Sequence, residues 1–252
     1  MISASKPTTQ ERACAKHGIY LANVMEVLGR QISTQCPACQ SDDKARQSAL
    51  EARTKAEAMV RRIEALAQRS GVPRRFQDRT FDGYEVTSEG QGRALRIART
   101  YAEQWPDMKA RGTCLIFSGN AGTGKTHLAC AIANAVIQQG SSAVFTTVSD
   151  ALRTIKRAYD RESGLSELDA LNTLVEPRLL ILDEVGMAYD TDHSKTLVFD
   201  LMNKRYENMR PTILLTNLDA KALREHLGDR VTDRLREGGG KFVSFNWQSH
   251  RA

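Results

Sequence analysis

The residues with the most specific chemistry in this chain lie in one eight-residue loop, at positions 119–126. Its sequence, Gly-Asn-Ala-Gly-Thr-Gly-Lys-Thr, fits the pattern G-x-x-x-x-G-K-[ST], in which glycines let the backbone wrap closely around phosphate groups. Lys125 is expected to reach the β- and γ-phosphates, and the Thr126 hydroxyl is expected to coordinate Mg²⁺. The pattern predicts a nucleoside triphosphate site formed by Gly119, Asn120, Ala121, Gly122, Thr123, Gly124, Lys125, Thr126 and His127.

A pair of acidic residues ends an apolar run further along the chain. The run at 179–182, Leu-Leu-Ile-Leu, is typical of a buried parallel strand, and Asp183 and Glu184 follow it directly. Ligands of open α/β sheets bind at the carboxyl ends of the strands, so both acids should lie beside the phosphates. We expect Asp183 to hold the Mg²⁺ and Glu184 to polarise the attacking water. The alternative is that both carboxylates only begin the next segment as solvated charges.

Four further residues have the spacing of metal ligands. Cys14-x-x-His17 and Cys36-Pro-Ala-Cys39 form two pairs, separated by a loop that is long enough to fold back. Nitrogen and thiolate ligands in this number suit tetrahedral Zn²⁺. The spacing therefore predicts a structural zinc site, the alternative being four unrelated residues in a loose N-terminal arm.

Strand and helix signals alternate around these motifs. Apolar, β-prone runs occur at 113–117, 142–147, 179–182 and 212–217. Helical patterns occur at 127–133, 150–161 with Asp150 as N-cap, 163–174 and 194–210. Because strands that alternate with helices form parallel sheets, the predicted fold class is α/β, with a parallel sheet flanked by helices. Cys114 and Cys130 fall beside the glycine-rich loop and are expected to be small buried apolar residues.

Length and composition set the organisation of the chain. Its 252 residues allow one substantial domain and a small accessory one. We predict a zinc-binding module at 1–40, a connecting helix and linker at 41–72 that stops at Gly71-Val72-Pro73, and a nucleotide-binding domain at 73–252. No apolar stretch has the length of a membrane span or signal core, so we expect a cytoplasmic protein without membrane contact. The net charge of +6 permits a polyanionic partner without requiring one.

From about residue 71 to its end, the chain resembles the AAA+ ATPases and, within them, the DnaC-type replicative helicase loaders. Besides the two motifs above, the resemblance rests on Phe81-Asp82-Gly83-Tyr84, Thr216-Asn217, Gly228-Asp229-Arg230-Val231-Thr232-Asp233-Arg234 and Phe245-Asn246-Trp247-Gln248-Ser249-His250-Arg251. It implies a P-loop AAA+ core that binds and hydrolyses ATP with Mg²⁺. The N-terminal zinc pattern is more similar to the DnaI branch of these loaders and to loader-like phage proteins.

The resemblance also implies roles for single residues. Asn217 matches the sensor-1 residue that positions the attacking water, although an asparagine at a strand end can also serve only a turn. Arg234, with Arg230 as the runner-up, matches the arginine finger that enters the site of a neighbouring subunit. Arg251 occupies the sensor-2 position. A helical insertion that distinguishes loaders corresponds to 150–174, where single-stranded DNA phosphates could contact Lys156, Arg157 and Arg161.

Three functions fit these observations. The first is a helicase loader that grips a hexameric replicative helicase through its N-terminal module, self-associates into a ring or spiral, and places the helicase on single-stranded DNA. The second is a transposition ATPase similar to the IstB group, which acts on duplex DNA. The third is an adaptor that binds ATP and hydrolyses little of it, against which Glu184 and Asn217 argue.

Overall fold

The computed structural model describes residues 8–27, 30–159, 166–186 and 191–250. The chain divides into two compact units, an N-terminal unit up to Arg61 and a C-terminal unit from Arg62 onwards. In the described part of the chain, no helix combines the length and apolarity needed to cross a bilayer.

The N-terminal unit is built on a three-stranded antiparallel sheet. Its strands are β1 (Thr8–Cys14), β2 (Gly18–Val27) and β3 (Arg30–Ser33), paired in that order. Side chains alternate between the two faces of a strand, and along β2 the residues Ala22 and Val24 are buried, whereas Ile19, Leu21 and Met25 are exposed. One face of the sheet is therefore covered and the other is open.

A single long helix follows the sheet. Helix α1 (Pro37–Arg69) begins with proline in its first turn, where a missing N–H costs no intrahelical bond. None of its residues is buried, which agrees with its many Glu, Lys and Arg residues. The predicted stop is confirmed, because Gly71 has φ +64° and a Cβ there would lie 2.6 Å from the carbonyl oxygen of Phe145. Only glycine allows this close approach.

The C-terminal unit alternates helices and strands, as the sequence predicts. Its elements are α2 (Glu89–Glu103), α3 (Trp105–Arg111), β4 (Leu115–Gly119), α4 (Lys125–Gln138), β5 (Ala143–Thr147), α5 (Val148–Lys156), α6 (Glu167–Val175), β6 (Leu179–Val185), α7 (Asp192–Glu207), β7 (Thr212–Thr216), α8 (Ala220–Leu227), α9 (Asp229–Arg236) and β8 (Lys241–Phe245). The strands form one parallel five-stranded sheet in the order β5-β6-β7-β4-β8. The predicted parallel sheet is confirmed, and all its strands end at the same edge.

Apolar side chains cover both faces of this sheet. Leu128 and Ile132 of α4 belong to the core on one face, whereas Leu197 and Leu201 of α7 belong to the core on the other. The strands are almost continuously apolar because they are buried from both sides. This packing fixes the positions of the strand ends, where the predicted site residues lie. Cys114 and Cys130 are buried in these cores, as expected.

One buried cation connects the elements on the second face. Arg205 of α7 is 0% exposed, and burial lowers its pKa to about 9, so it stays charged at neutral pH. Its guanidinium donates five hydrogen bonds, to the Thr212 hydroxyl and to the carbonyl groups of Leu174, Val175, Pro177 and Pro211. These bonds tie the C-terminus of α6 to the start of β7, because a helix end leaves carbonyl groups without intrahelical partners.

The predicted N-cap of α5 is wrong by three residues. Thr147 caps the helix, and its hydroxyl accepts a hydrogen bond of 3.1 Å from the backbone N–H of Asp150. The strand runs into the helix without a loop, so the last residue of β5 is also the cap. Asp150 lies in the first turn instead, where its negative charge interacts favourably with the positive end of the helix dipole.

Candidate functional site

The glycine-rich loop joins the end of β4 to the start of α4. Gly124 precedes Lys125 with φ +92°, and a Cβ on Gly124 would lie 2.7 Å from the ring of Tyr84. Both the left-handed backbone and the neighbouring ring therefore require glycine at this position. The strand, loop and helix occur in the order that the motif predicts, with the helix N-terminus directed at the loop.

Lys125 is almost fully buried and is held by oxygen atoms. Its Nζ donates hydrogen bonds to the carbonyl groups of Gly119 (2.5 Å) and Asn120 (2.8 Å) and to Oδ1 of Asn217 (3.0 Å). Its side chain thus spans the mouth of the loop towards the end of β7. A phosphate that enters the loop competes with these three acceptors for the same ammonium group.

Asp183 lies opposite the loop at the end of β6. Its Oδ2 accepts a hydrogen bond of 3.3 Å from the Thr126 hydroxyl, so the two predicted Mg²⁺ ligands are adjacent. Burial raises the pKa of Asp183, while hydrogen bonds from the Glu184 N–H and Thr126 and the charge of Lys125 oppose that rise. A hydroxyl and a carboxylate are oxygen donors of the kind that Mg²⁺ prefers, so these residues fit the ion.

Glu184 adopts an unusual backbone conformation directly after Asp183. Its φ is +62°, and the pairing of β6 with β7 shifts register between Leu182 and Val185. The backbone N–H of Glu184 donates a 2.7 Å bond to Oδ1 of Asp183. This left-handed turn leaves the Glu184 side chain exposed beside the buried carboxylate, and such conformations cluster at functional sites.

Asn217 completes the group because of the strand order. Strand β7 lies between β4, which leads into the glycine-rich loop, and β6, which carries the two acids. The residue after β7 therefore projects between them, and Asn217 contacts Lys125 there. The end of β7 is fixed to β6 by the Thr216 hydroxyl, which donates a 2.6 Å bond to the carbonyl of Val185.

These residues border one cavity of about 470 Å³. It is lined by Arg75, Phe76, Arg79, Gly83, Tyr84, Glu85, residues 121–127, Asp183, Glu184, Asn217 and His250. The cavity brings together the loop, both acids and the sensor-1 candidate, from three separate parts of the sequence. His127 borders it with its ring edge-on to Tyr84, and its Nε2 donates a 2.9 Å hydrogen bond to the Thr80 carbonyl.

Sequence reasoning did not assign site roles to several residues of this cavity. Arg75, Arg79, Tyr84 and Glu85 precede the glycine-rich loop by 34 to 44 residues and belong to no spaced motif of their own. Of these four, only Tyr84 had a signal, as part of the segment 81–84 in the family resemblance. His250 also lies here, at the other end of the chain.

The two arginine-finger candidates lie on α9, and neither lines the cavity of the same chain. Arg234 donates a hydrogen bond to Oδ1 of Asn203, and its guanidinium carbon lies 4.8 Å from the centre of the Tyr206 ring. Arg230 is exposed and makes no hydrogen bond or ion pair with any described residue. Arg251 and Arg161 lie outside the described residues.

The four predicted metal ligands converge in the N-terminal unit. Their ligand atoms, from Cys14, His17, Cys36 and Cys39, all lie within 4.8 Å of one another. Nδ1 of His17 is 3.7 Å, 3.8 Å and 3.3 Å from the sulfurs of Cys14, Cys36 and Cys39. Zinc bonds of about 2.3 Å to sulfur and 2.0 Å to nitrogen place tetrahedral ligand atoms about 3.6–3.8 Å apart. The four residues therefore fit a tetrahedral zinc ion.

The other ring nitrogen of His17 also has a partner. Its Nε2 lies 3.2 Å from Oδ2 of Asp42 in the first turns of α1. A carboxylate on the far side of a histidine holds the tautomer that leaves the nearer nitrogen available to a metal. This contact supports Nδ1 as the ligand atom, and sequence spacing alone did not identify Asp42.

Comparisons with known proteins agree with this geometry. A family model described as "IstB-like ATP binding protein" matches residues 22–236. The chain is 38% identical over 207 residues to the replicative helicase loader DnaC of Escherichia coli (strain K12), covering 82% of this chain and 81% of that protein.

Solved structures give the same picture. The crystal structure of the DnaC helicase loader is similar with a TM-score of 0.60 at 25% identity, covering 68% of this chain and 99% of that one. The crystal structure of DnaI has a TM-score of 0.57 at 21% identity, covering 71% of this chain and 94% of that one. At the lower identity, the likeness shows the fold alone.

Proposed function

The chain belongs to the IstB-like ATP-binding family and, within it, to the DnaC-type helicase loaders of the AAA+ class, and on that premise we propose that it loads a replicative helicase onto single-stranded DNA. The predicted AAA+ fold is confirmed by these relationships. The family supports an ATPase activity. The helicase, the DNA and the order of events are part of our proposal.

One observation carries the ATPase part of the proposal. Lys125, Thr126, Asp183, Glu184 and Asn217 come from three strand ends and meet around a single cavity. Thr126 and Asp183 would hold Mg²⁺, which would neutralise charge on the bound phosphates. The inward N–H groups of the loop and the Lys125 ammonium bind the phosphates and fix the γ-phosphoryl group in place.

Glu184 and Asn217 act on the water in this proposal. The water oxygen forms a bond to the γ-phosphorus, the bond from that phosphorus to the β–γ bridging oxygen breaks, and a proton passes from the water to the Glu184 carboxylate. The exposed Glu184 side chain reaches the cavity from the turn after Asp183. The Asn217 amide, once Lys125 turns to the phosphates, is available to orient the water.

The arginine finger requires a second copy of the chain. Arg234 is held on α7 by Asn203 and Tyr206 within its own copy. We propose that it exchanges these contacts for the γ-phosphate of a neighbour when copies assemble into a ring or spiral. Arg230 remains the runner-up, because it is exposed on the same helix and makes no hydrogen bond or ion pair with a described residue that assembly would have to break.

The N-terminal unit would hold zinc and bind the helicase. Cys14, His17, Cys36 and Cys39 would hold the ion, which would link the β1–β2 turn to the start of α1. On the open face of the sheet, four large apolar side chains are exposed by between 38% and 75%: Ile19, Leu21, Met25 and Ile32. Met25 and Ile32 are direct partners across β2 and β3, and Ile19 and Leu21 are next to each other on the same face of β2. Contiguous exposed apolar residues mark protein-binding surfaces.

The DNA-binding part of the proposal concerns the segment between β5 and β6. The Lys156 ammonium donates a 3.1 Å hydrogen bond to Ser194, and Arg157 follows it as an exposed residue. These two charges are the described part of the proposed contact with single-stranded DNA phosphates. Arg161, the third, lies outside the described residues.

Light scattering on a size-exclusion column tests the proposed function. The chain is mixed with the replicative helicase of its host, with and without ATP and single-stranded DNA. A defined co-complex whose mass changes with nucleotide is the expected result. The variant Leu21→Asp should lose the complex while it retains ATP binding, and the matched control Lys55→Asp, an exposed change on α1 outside the apolar group, should retain both.

Other outcomes favour the other functions. The family description names IstB, so binding to duplex DNA without any helicase complex would favour the transposition ATPase. A helicase complex that is indifferent to nucleotide, with no turnover by the parent chain, would favour the adaptor.

A further inference from the structure

The carbonyl groups of the phosphate loop need partners of their own. The N–H groups of such a loop are expected to bind phosphates, so the loop carbonyls need other donors, and buried carbonyls are almost always hydrogen-bonded. The Gly122 carbonyl accepts a 3.0 Å bond from the backbone N–H of His250. The Thr123 carbonyl accepts a 2.9 Å bond from Nε1 of Trp247 and a 3.4 Å bond from the Tyr84 hydroxyl. Two of these donors come from residues 246–250, which we name the C-terminal strap.

The strap is seated on the first turn of α2. The Trp247 ring centre lies 4.8 Å from that of Phe245, and the ring packs so closely on Gly90 that a Cβ there would approach it to 3.2 Å. This packing fixes the position of the indole relative to the loop, so that its N–H donates to the Thr123 carbonyl.

Gln91, the next residue of α2, anchors the other end of the strap. It is a buried polar residue, 2% exposed, and its Oε1 accepts hydrogen bonds of 2.7 Å and 2.9 Å from the backbone N–H and hydroxyl of Thr87. The two donors fix the orientation of the amide, so its nitrogen faces His250. The distance from Nε2 of Gln91 to Nε2 of His250 is 2.7 Å. Since an amide NH₂ group only donates, the histidine nitrogen must accept.

We propose that Gln91 and Trp247 are positioning residues for ATP binding, which hold the strap on the phosphate loop and thereby keep the inward N–H groups of the loop aligned. The inference rests on the proposed ATPase function of the same cavity. None of the strap donors reaches Glu184 or Asn217, which lie on other strand ends. Loss of the strap contacts therefore weakens ATP binding and raises KM, while kcat changes little.

His250→Gln is the conservative variant of this contact, because a glutamine side chain keeps an acceptor for the Gln91 amide.

The experiment measures ATP affinity, KM and kcat of the whole chain, with thermal unfolding as the check on folding. Trp247→Phe keeps an aromatic ring and removes the donor, so ATP affinity should fall on the order of fivefold, as for one net hydrogen bond, and KM should rise while kcat changes little. Gln91→Leu should lower the affinity by a similar factor, whereas His250→Gln should retain it. The matched control Gln248→Ala, exposed on the strap, should behave as the parent.

Parent-like affinity and KM for Trp247→Phe and Gln91→Leu, when both variants remain folded, would overturn the inference. Lys125→Ala distinguishes failure of this inference from failure of the proposed function. If Lys125→Ala binds ATP as the parent does, the assignment of the ATP site is wrong. If Lys125→Ala loses ATP binding while the strap variants keep it, only the role of the strap is refuted.

Discussion

Removal of zinc should unfold the N-terminal unit and leave the ATP site intact. In the described part of that unit, the buried apolar side chains are Ala22, Val24 and Cys36. Their burial supplies on the order of 4 kcal/mol. Ordering the backbone costs about 1 kcal/mol or more for each residue, and the three strands alone contain many more residues than this burial can offset. A structural zinc ion contributes roughly 10–16 kcal/mol, so the metal decides whether the unit folds.

The assay combines elemental analysis, circular dichroism and ATP binding before and after treatment with a zinc-selective chelator. The purified chain should contain about one zinc ion, as four convergent ligands bind a single tetrahedral ion. Chelation should abolish part of the β-sheet signal and the helicase complex, and ATP affinity in excess Mg²⁺ should stay as in the untreated chain. The variant Cys36→Ser should reproduce the chelated state, whereas Cys130→Ser, a buried residue of α4 in the C-terminal unit, should keep its zinc.

Two results would refute this reasoning. The first is a gently purified chain without zinc that still binds the helicase. The second is complete loss of zinc with no change in circular dichroism, because the few buried side chains would then suffice to hold the unit. A parallel loss of ATP binding would instead show that the two units are coupled.

Three further predictions follow from the C-terminal unit. Glu184→Gln should lower kcat by about 10²–10⁴-fold with ATP affinity unchanged, as expected for loss of a general base. The control Glu85→Gln should leave kcat unchanged. Single-turnover hydrolysis measures both variants, and an unchanged rate in Glu184→Gln would exclude a role of Glu184 as the general base. Mixing Arg234→Ala with Lys125→Ala should restore part of the ATP hydrolysis that each variant lacks. A second mixture, in which Arg230→Ala replaces Arg234→Ala, shows which arginine is the finger. No rescue in assembled mixtures would contradict action in trans. Arg205→Met should destabilise the unit by more than about 4 kcal/mol in urea unfolding, because five partners lose their donor, whereas Arg210→Met, whose Nε and Nη1 have no hydrogen-bond partner among the described residues, should cost far less.

The sequence predicted the parts of the site that depend on local spacing. The glycine-rich loop between β4 and α4, the acidic pair at the end of β6 and the two ligand pairs are each contained in a few neighbouring residues. The parallel sheet was predictable for the same reason, since its strands are apolar runs between helical patterns. The assignment of catalytic and ligand roles to these residues remains a proposal.

Contacts between distant residues could not be read from the sequence. Gln91 and His250 are separated by 159 positions, and neither belongs to a pattern that would pair them. The first strand of the N-terminal unit, with the sequence Thr-Thr-Gln-Glu-Arg-Ala-Cys, lacks the apolar alternation of a half-buried strand, so no sheet was predicted there. Arg234 was assigned a role between copies, but its position on Asn203 and Tyr206 depends on the packing of α7 against α9.

The strand order places several contacts of the glycine-rich loop close together. The Lys125 ammonium is shared between two loop carbonyls and Asn217. Asn217 directly follows Thr216, whose hydroxyl is bonded to the Val185 carbonyl just beyond the two acids. The C-terminal strap bonds to the Gly122 and Thr123 carbonyls of the same loop. If the Lys125 ammonium turns to a phosphate, as we propose, the Asn217 amide loses this partner, so phosphate binding in the loop would change contacts at the ends of both β4 and β7.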